Sequence, residues 1–518
     1  MKFTAALGVI ASATLASASS VLVGYFPNWL YSDYPVSSID MTKYTHINYA
    51  FAILNTNSTP TWTDPDNTVT QLPNLVTAAH NKNVKVSISV GGWTGCLKFS
   101  ATAATETSRQ AFIAWNIAQI TNYNLDGVDL DWEYPGRQGA GCNGVDEAND
   151  ASNYLTLLQE LRSALDTKFG AGVKEITLAV RVQPFDQNGS ILSDMSAYAK
   201  VVTRFNLMLY DINGSWNTVT GPNAPFNYLS GSDPFSFVQA ITDWKAAKVP
   251  ASQLVAGMAY YGRSSTALED MTITGKQVQA QSTVVPQGDN TDAYWQDPYC
   301  SADPGGLSGQ WQWKKMRSQG LLTTPTTAAS PWVRYFDNVT QTPWLFNPNT
   351  KVYLSYDDPT SIAVKVNYAV CQGLAGAMVW DVSNDNGELL TAVNAIKTAT
   401  CGGSGSTTTA STTTTASTTT TTKATTASTT TTKATTTKAT TTTKSTTVKT
   451  TTTTTTSASA TATGSATCTA SNNGAMVCVA SGTSAQYQTC VNGGWLTQSC
   501  GSGTVCKTSG SSIYCDFP

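Results

Sequence analysis

Eight short apolar runs recur along the first 380 residues: VLVGYF (21–26), YTHINYAFA (44–52), VKVSISV (84–90), LDGVDLDW (125–132), EITLAVR (175–181), FNLMLY (205–210), LVAGMAY (254–260) and LAGAMVW (374–380). Each is of strand length and rich in β-branched or aromatic residues, which favours strand over buried helix. Between them lie longer stretches with helical spacing at 72–82, 106–122, 149–168, 235–248 and 359–372. Strands that alternate with helices predict a closed α/β architecture, the (β/α)8 barrel. The gap between the seventh and eighth runs is too long for one helix connection. Residues from about 263 to 350, rich in Trp, Gln and Gly, are therefore expected to form a small α+β insertion.

The fourth run breaks the apolar pattern in an ordered way. DGVDLDWEYP (126–135) places Asp129, Asp131 and Glu133 at alternate positions, with Val128, Leu130 and Trp132 between them. Alternate strand residues share a face and lie about 6.5 Å apart, so the three carboxyls line one side while the apolar residues pack beneath helices. Unpaired charge in a buried strand is costly, and closely spaced like charges push at least one carboxyl toward the protonated form. A row of this kind supplies a proton donor near neutral pH. A solvated edge strand would explain the acids but not the apolar opposite face. Asp126 breaks the alternation and reads as structural. In a barrel of this type the active site forms at the C-terminal strand ends, where Tyr25, Phe51, Ser89, Glu133, Tyr210, Asp211 and Trp380 fall.

Composition changes the picture at both ends. Lys2, an apolar stretch to Leu15 and Ala16-Ser17-Ala18 read as a signal peptide over 1–18, with a mature chain starting near Ser19. A secreted protein, extracellular or associated with a cell wall, is expected. The sequons at Asn57, Asn188, Asn213 and Asn338 fit a secretory route. After the expected barrel region (19–402), residues 403–465 are almost wholly Thr, Ser and Ala with spaced lysines. Such a segment lacks the apolar surface to offset its ordering entropy and reads as a glycosylated tether. Residues 466–518 hold six of the 11 cysteines, the mark of a small disulfide-stapled module. Of the other five, Cys96 with Cys142 and Cys300 with Cys371 are the expected pairs, leaving Cys401 odd.

The net charge of −3 and pI near 5.5 argue against a nucleic-acid binder, which would show a basic face. Past the N-terminus no run is long and apolar enough for a membrane span. With only His46 and His80, far apart, and no EF-hand spacing, the carboxylate row gains no support as a metal site, and no cofactor is implied. A monomer is expected.

These motifs together resemble glycoside hydrolase family 18. DGVDLDWEYP resembles its DxxDxDxE signature, SVGG (89–92) its S-x-G-G, MLYD (208–211) its M-x-Y-D, and Trp380 its floor tryptophan. YGR (261–263), the insertion and SYDDPTSI (355–362) resemble the bacterial-type (class V) branch. The resemblance covers roughly 21–398 and implies a chitinase acting on chitin and chitooligosaccharides. It makes Glu133 the general acid. Asp131 orients the substrate acetamido group, sharing a proton with Asp129 and hydrogen-bonding Glu133, and Tyr210 donates to the acetamido carbonyl. Asp211, Trp380, Tyr25, Phe51, Ser89, Trp93, Tyr134, Met208 and Arg263 complete the implied substrate site. CVNGGWLTQSC (490–500) with GTVC (503–506) resembles the small family 19 chitin-binding module of fungal chitinases. There Tyr487, Trp495, Tyr514 and Phe517 are candidates for stacking on sugar rings. A chitinase-like lectin and an endo-β-N-acetylglucosaminidase acting on N-glycans are the competing functions. Retention of the acid weighs against the first, and the tether and module against the second.

Overall fold

The structure, a computed structural model, describes residues 20–401, 476–491, 494–500, 504–509 and 512–516. The expected signal peptide, the Thr-rich tether and Phe517 lie outside the described residues. The chain divides into two units at the Ser404–Gly405 boundary, and each is treated by itself.

Eight parallel strands form the barrel of the first unit: β1 (Val21–Pro27), β2 (His46–Ile53), β3 (Lys85–Gly91), β4 (Gly127–Asp131), β5 (Glu175–Val180), β6 (Arg204–Leu207), β7 (Leu254–Ala259) and β8 (Gly376–Trp380). Each pairs in parallel with its neighbour, and β8 returns to β1 to close the ring. Closure removes every edge, while helices outside and side chains inside bury both faces of the strands. The outward side chains Val128, Leu130 and Trp132 enter the large core beneath the helices. Trp132 stacks on Phe99 at 5.0 Å and meets Tyr154 edge-on at 5.0 Å. Burial of Val128 and Leu130 alone contributes roughly 1.5–3 kcal/mol each. That apolar anchoring turns Asp129 and Asp131 into the barrel.

The helix Pro65–His80 begins seven residues before its expected start. Pro73 had obscured the periodicity, but Asp64 caps the N-terminus by accepting from the Asn67 amide, and Pro65 takes the first turn, where no donor is lost. Strand β6 ends at Leu207 rather than Tyr210, so Tyr210 and Asp211 stand on the segment beyond it.

Between β7 and β8 an antiparallel sheet of five strands covers Tyr261–Thr266, Gln310–Gln312, Val333–Asp337, Thr342–Asn347 and Val352–Ser355. The expected cysteine pairs are wrong. Cys142 bonds Cys300 and Cys371 bonds Cys401, which leaves Cys96 as a free, fully buried thiol. Spacing gave no guide, because the insertion returns Cys300 to the loop after β4. The sequon at Asn213 is also corrected. Its side chain is fully buried and donates to Pro222 O, whereas Asn57, Asn188 and Asn338 are exposed.

Among the described residues no helix is long and apolar enough to cross a membrane. In the second unit three antiparallel strands (Met476–Cys478, Gln486–Val491, Gly494–Ser499) and a hairpin (Val505–Ser509 with Ser512–Asp516) are joined by the Cys478–Cys506 disulfide. Tyr487 and Trp495 are half-buried on neighbouring strands. Tyr514 lies on the hairpin, and its side chain is outside the described residues.

Candidate active site

The site is built from the strand register upward. Ser89, Asp129 and Thr177 stand side by side on β3, β4 and β5. Ser89 Oγ donates to Asp129 Oδ2 at 2.7 Å and Thr177 Oγ1 to Oδ1 at 2.5 Å. Tyr25 from β1 donates to Oδ2 at 2.8 Å, and Asn206 from β6 to Oδ1 at 3.2 Å. Asp129, with no exposed surface, thus has both oxygens occupied. Burial pushes its carboxyl upward, while the Thr177, Ser89 and Tyr25 donors pull it back. Thr177 and Asn206 were missed in the sequence. Their signal was a polar residue at an inward position of an otherwise apolar strand, which needs a partner once buried.

Asp131 sits one step closer to the rim and is 4% exposed. Its Oδ1 is buried without a hydrogen-bond partner. Asp129 is already served by four donors, and two carboxyls bond only when one holds a proton between them. Burial, then the charges of Glu133 and Asp129, hold Asp131 well above the usual carboxylate range.

Glu133 lies just past β4. Burial pushes its carboxyl up to about 7; the Asp211 charge adds to this and a Tyr134 hydrogen bond opposes it. Titration of the carboxyl therefore falls near neutral pH, where a general acid must work.

Two glycines explain how the β3 and β4 ends approach so closely. Gly91 (φ +116°) would place a Cβ 2.1 Å from Asp131 O, and Gly92 (φ +85°) donates its amide to that same oxygen at 2.9 Å. No side chain fits either position. Non-prolyl cis peptides occur at Ala50–Phe51, Glu133–Tyr134 and Trp380–Asp381, all at C-terminal strand ends.

Aromatic rings floor the rim. Trp380 stacks on Phe51 at 5.6 Å and tilts against Tyr25 at 5.7 Å. Trp29, half exposed and not foreseen, extends this surface by stacking on Phe51 at 6.3 Å. Exposed Trp93 meets Tyr134, the residue that follows Glu133, edge-on at 6.4 Å. Tyr210 donates to Met378 Sδ at 3.6 Å, and Met208 packs against the same interior cluster. Burial and the surrounding carboxyls keep the Tyr210 phenol protonated. Arg263 is engaged by Asp211 in a bidentate pair, at 2.8 and 2.9 Å, above the ring of Trp216. Asp211 itself holds a left-handed backbone (φ +55°), with its amide bonded to Asn223.

His80 and the Val86 amide both bond Asp126 Oδ2, each at 2.8 Å, and His46 faces Glu175 at the opposite end of the barrel. Among the described residues no group of three His, Cys, Asp or Glu side chains is placed to hold a metal ion.

Comparison with known proteins places this arrangement. A "chitinase-like effector" of Moniliophthora roreri is 32% identical over 405 residues, covering 76% of this chain and 96% of its own length. The crystal structure of a Rhizomucor miehei chitinase superposes with a TM-score of 0.66 at 35% identity, covering 73% of this chain and 99% of that one. That of an Ostrinia furnacalis Group IV chitinase in complex with allosamidin gives 0.61 at 27% identity, covering 73% and 98%. The family model for glycosyl hydrolases family 18 matches residues 21–385, the barrel with its insertion. The chain belongs to glycoside hydrolase family 18.

Proposed function

We propose that this protein is a secreted chitinase that hydrolyses β-1,4 linkages between N-acetylglucosamine units with retention of configuration. The observation that carries the reading is the graded acid row: Asp129 saturated with donors, Asp131 buried with an open oxygen, and Glu133 at the rim with its carboxyl pushed upward by burial.

Cleavage needs a proton for the leaving oxygen and a nucleophile for the anomeric carbon. Glu133 supplies the proton. The carbonyl oxygen of the substrate's own 2-acetamido group attacks, as in the substrate-assisted exceptions to the two-carboxylate scheme. The acetamido N–H gives Asp131 the donor that its Oδ1 lacks in the protein, and the carboxyl then balances the charge of the oxazolinium ring. Tyr210 turns its hydroxyl from the weak sulfur acceptor of Met378 to the acetamido oxygen. Trp380, Phe51 and Trp29 offer an apolar face to the sugar C–H surface and exclude water. Deprotonated Glu133 then takes a proton from water, which opens the ring from the same face and restores the acid.

The antiparallel insertion suits the bacterial-type branch, and the C-terminal unit, with Tyr487 and Trp495, suits a family 19-like module tethered to insoluble chitin. A second reading has an observation behind it: a relative at 32% identity is named a chitinase-like effector. A lectin-like chain would bind chitin oligomers without cleaving them. Glu133→Gln separates the two. The chitinase reading expects the variant to bind chitin oligomers but hydrolyse them at least 10³-fold more slowly than the unaltered chain, on the order of an essential acid's contribution. Intact oligomers after incubation with the unaltered chain would end that reading.

A further inference from the structure

The loop that follows Glu133 wraps back over it. Gly139 lies so near that a Cβ there would stand 1.9 Å from Glu133 O. Asn143, only 5% exposed, donates both amide hydrogens backward: to Glu133 O at 3.0 Å and to Trp93 O at 3.3 Å. One side chain thus ties together the segments after β3 and β4, the first bearing the rim tryptophan and the second the acid. The amide side of Glu133 is held by Cys96, whose sulfur accepts from the Glu133 N–H at 3.4 Å and lies 3.1 Å from Asp131 O.

Asn143 is itself fixed from outside the barrel. Its neighbour Cys142 is bonded to Cys300 of the insertion. Cys300 sits in a hydrogen-bonded turn. Its amide bonds Asp297 O, the Asp297 amide bonds Asp303 Oδ2 at 2.7 Å, and the Tyr299 amide bonds Asp297 Oδ1 at 2.8 Å. Without that anchor the loop of Gly136, Gly139, Gly141 and Gly144 has much backbone entropy to regain.

We infer that Asn143, clamped by the Cys142–Cys300 disulfide, is a positioning residue that sets Glu133 and Trp93 at a fixed separation, making the insertion part of the catalytic frame. The consequence for chemistry rests on the proposed chitinase reading; the mechanical link does not. Proton transfer is sensitive to small displacements of the acid, whereas affinity spread over several rings is not, so loss of the clamp falls on kcat rather than KM.

The test compares the unaltered chain with Asn143→Asp, which keeps the shape but removes the donors, and with the Cys142→Ser/Cys300→Ser pair. Cys371→Ser serves as control, since the Cys371–Cys401 bond precedes β8 at the opposite end of the barrel. Backbone amide exchange over 132–137 and kcat and KM on soluble chitin oligomers are measured for each. The clamp predicts exchange faster by about tenfold or more in both test variants and in neither measure for the control. It also predicts kcat lower by roughly ten- to a hundredfold with KM within about twofold. Combining Asn143→Asp with the cysteine pair should add little, because both act through one link. Unchanged exchange over 132–137 in Asn143→Asp overturns the inference whatever the activity. Lowered melting with unchanged kcat overturns it as well. Absence of turnover in the unaltered chain would instead count against the chitinase reading, leaving exchange to decide the clamp.

Discussion

Tyr25→Phe removes a single oxygen from the floor of the site and leaves the ring in place against Trp380. The hydroxyl donates to Asp129 Oδ2 at 2.8 Å and accepts from Asn206 at 3.2 Å, in a residue 2% exposed. Burial, followed by the charges of Asp129 and Asp131, holds the phenol well above its usual range, so it remains a donor at every working pH. A hydrogen bond to a charged partner contributes about 1.5–3 kcal/mol net, against about 0.5–1.5 kcal/mol when both partners are neutral. No solvent reaches Asp129 to replace the lost donor, so the variant should be less stable at neutral pH by about 1–3 kcal/mol. Urea unfolding followed by tryptophan fluorescence measures this. The pH dependence has a definite sign. Losing a donor to the carboxylate raises the folded-state pKa of Asp129 further above its unfolded value. The deficit is therefore largest where Asp129 is ionised in the folded unaltered chain and shrinks as pH falls and both proteins protonate. A deficit below about 0.5 kcal/mol, or one that grows toward acid pH, would refute the donor-saturated picture of Asp129.

Asp211→Asn removes a negative charge that helps hold Glu133 near 7. The basic limb of kcat/KM should move to lower pH, because the acid deprotonates earlier; a limb that stays in place would show that burial alone sets Glu133. Gly91→Ala forces a Cβ against Asp131 O and should cost more than about 2 kcal/mol and most of the activity, and a fully active, equally stable variant would contradict the close approach. Removing residues 403–518 should weaken hydrolysis of crystalline chitin far more than that of soluble oligomers, and equal losses would remove the anchoring role.

The barrel was legible in the sequence because each strand is buried on both faces and each helix on one, so short continuous apolar runs alternate with stretches of helical spacing. The acid row stood out as well, since Val128, Leu130 and Trp132 fix which way Asp129 and Asp131 turn. What could not be read was long-range pairing of small polar groups. Thr177 and Asn206 look like minor interruptions of apolar runs, and only barrel closure brings them to one carboxyl. Cysteine partners failed for the same reason. Cys142 meets Cys300 across a separation of 158 residues because an insertion folds back onto the β4 loop, and no local pattern encodes that return. The start of the helix at Pro65 was hidden by Pro73, although the Asp64-Pro65 signal was present.

The central claim is that Glu133 protonates while the substrate's own acetamido group attacks and Asp131 steadies it. Proton NMR of the first products from a chitin oligomer reads this directly, before mutarotation scrambles the anomers. The account predicts β-anomers at the new reducing ends. Initial α-anomers would mean that water attacks from the opposite face, and would contradict it.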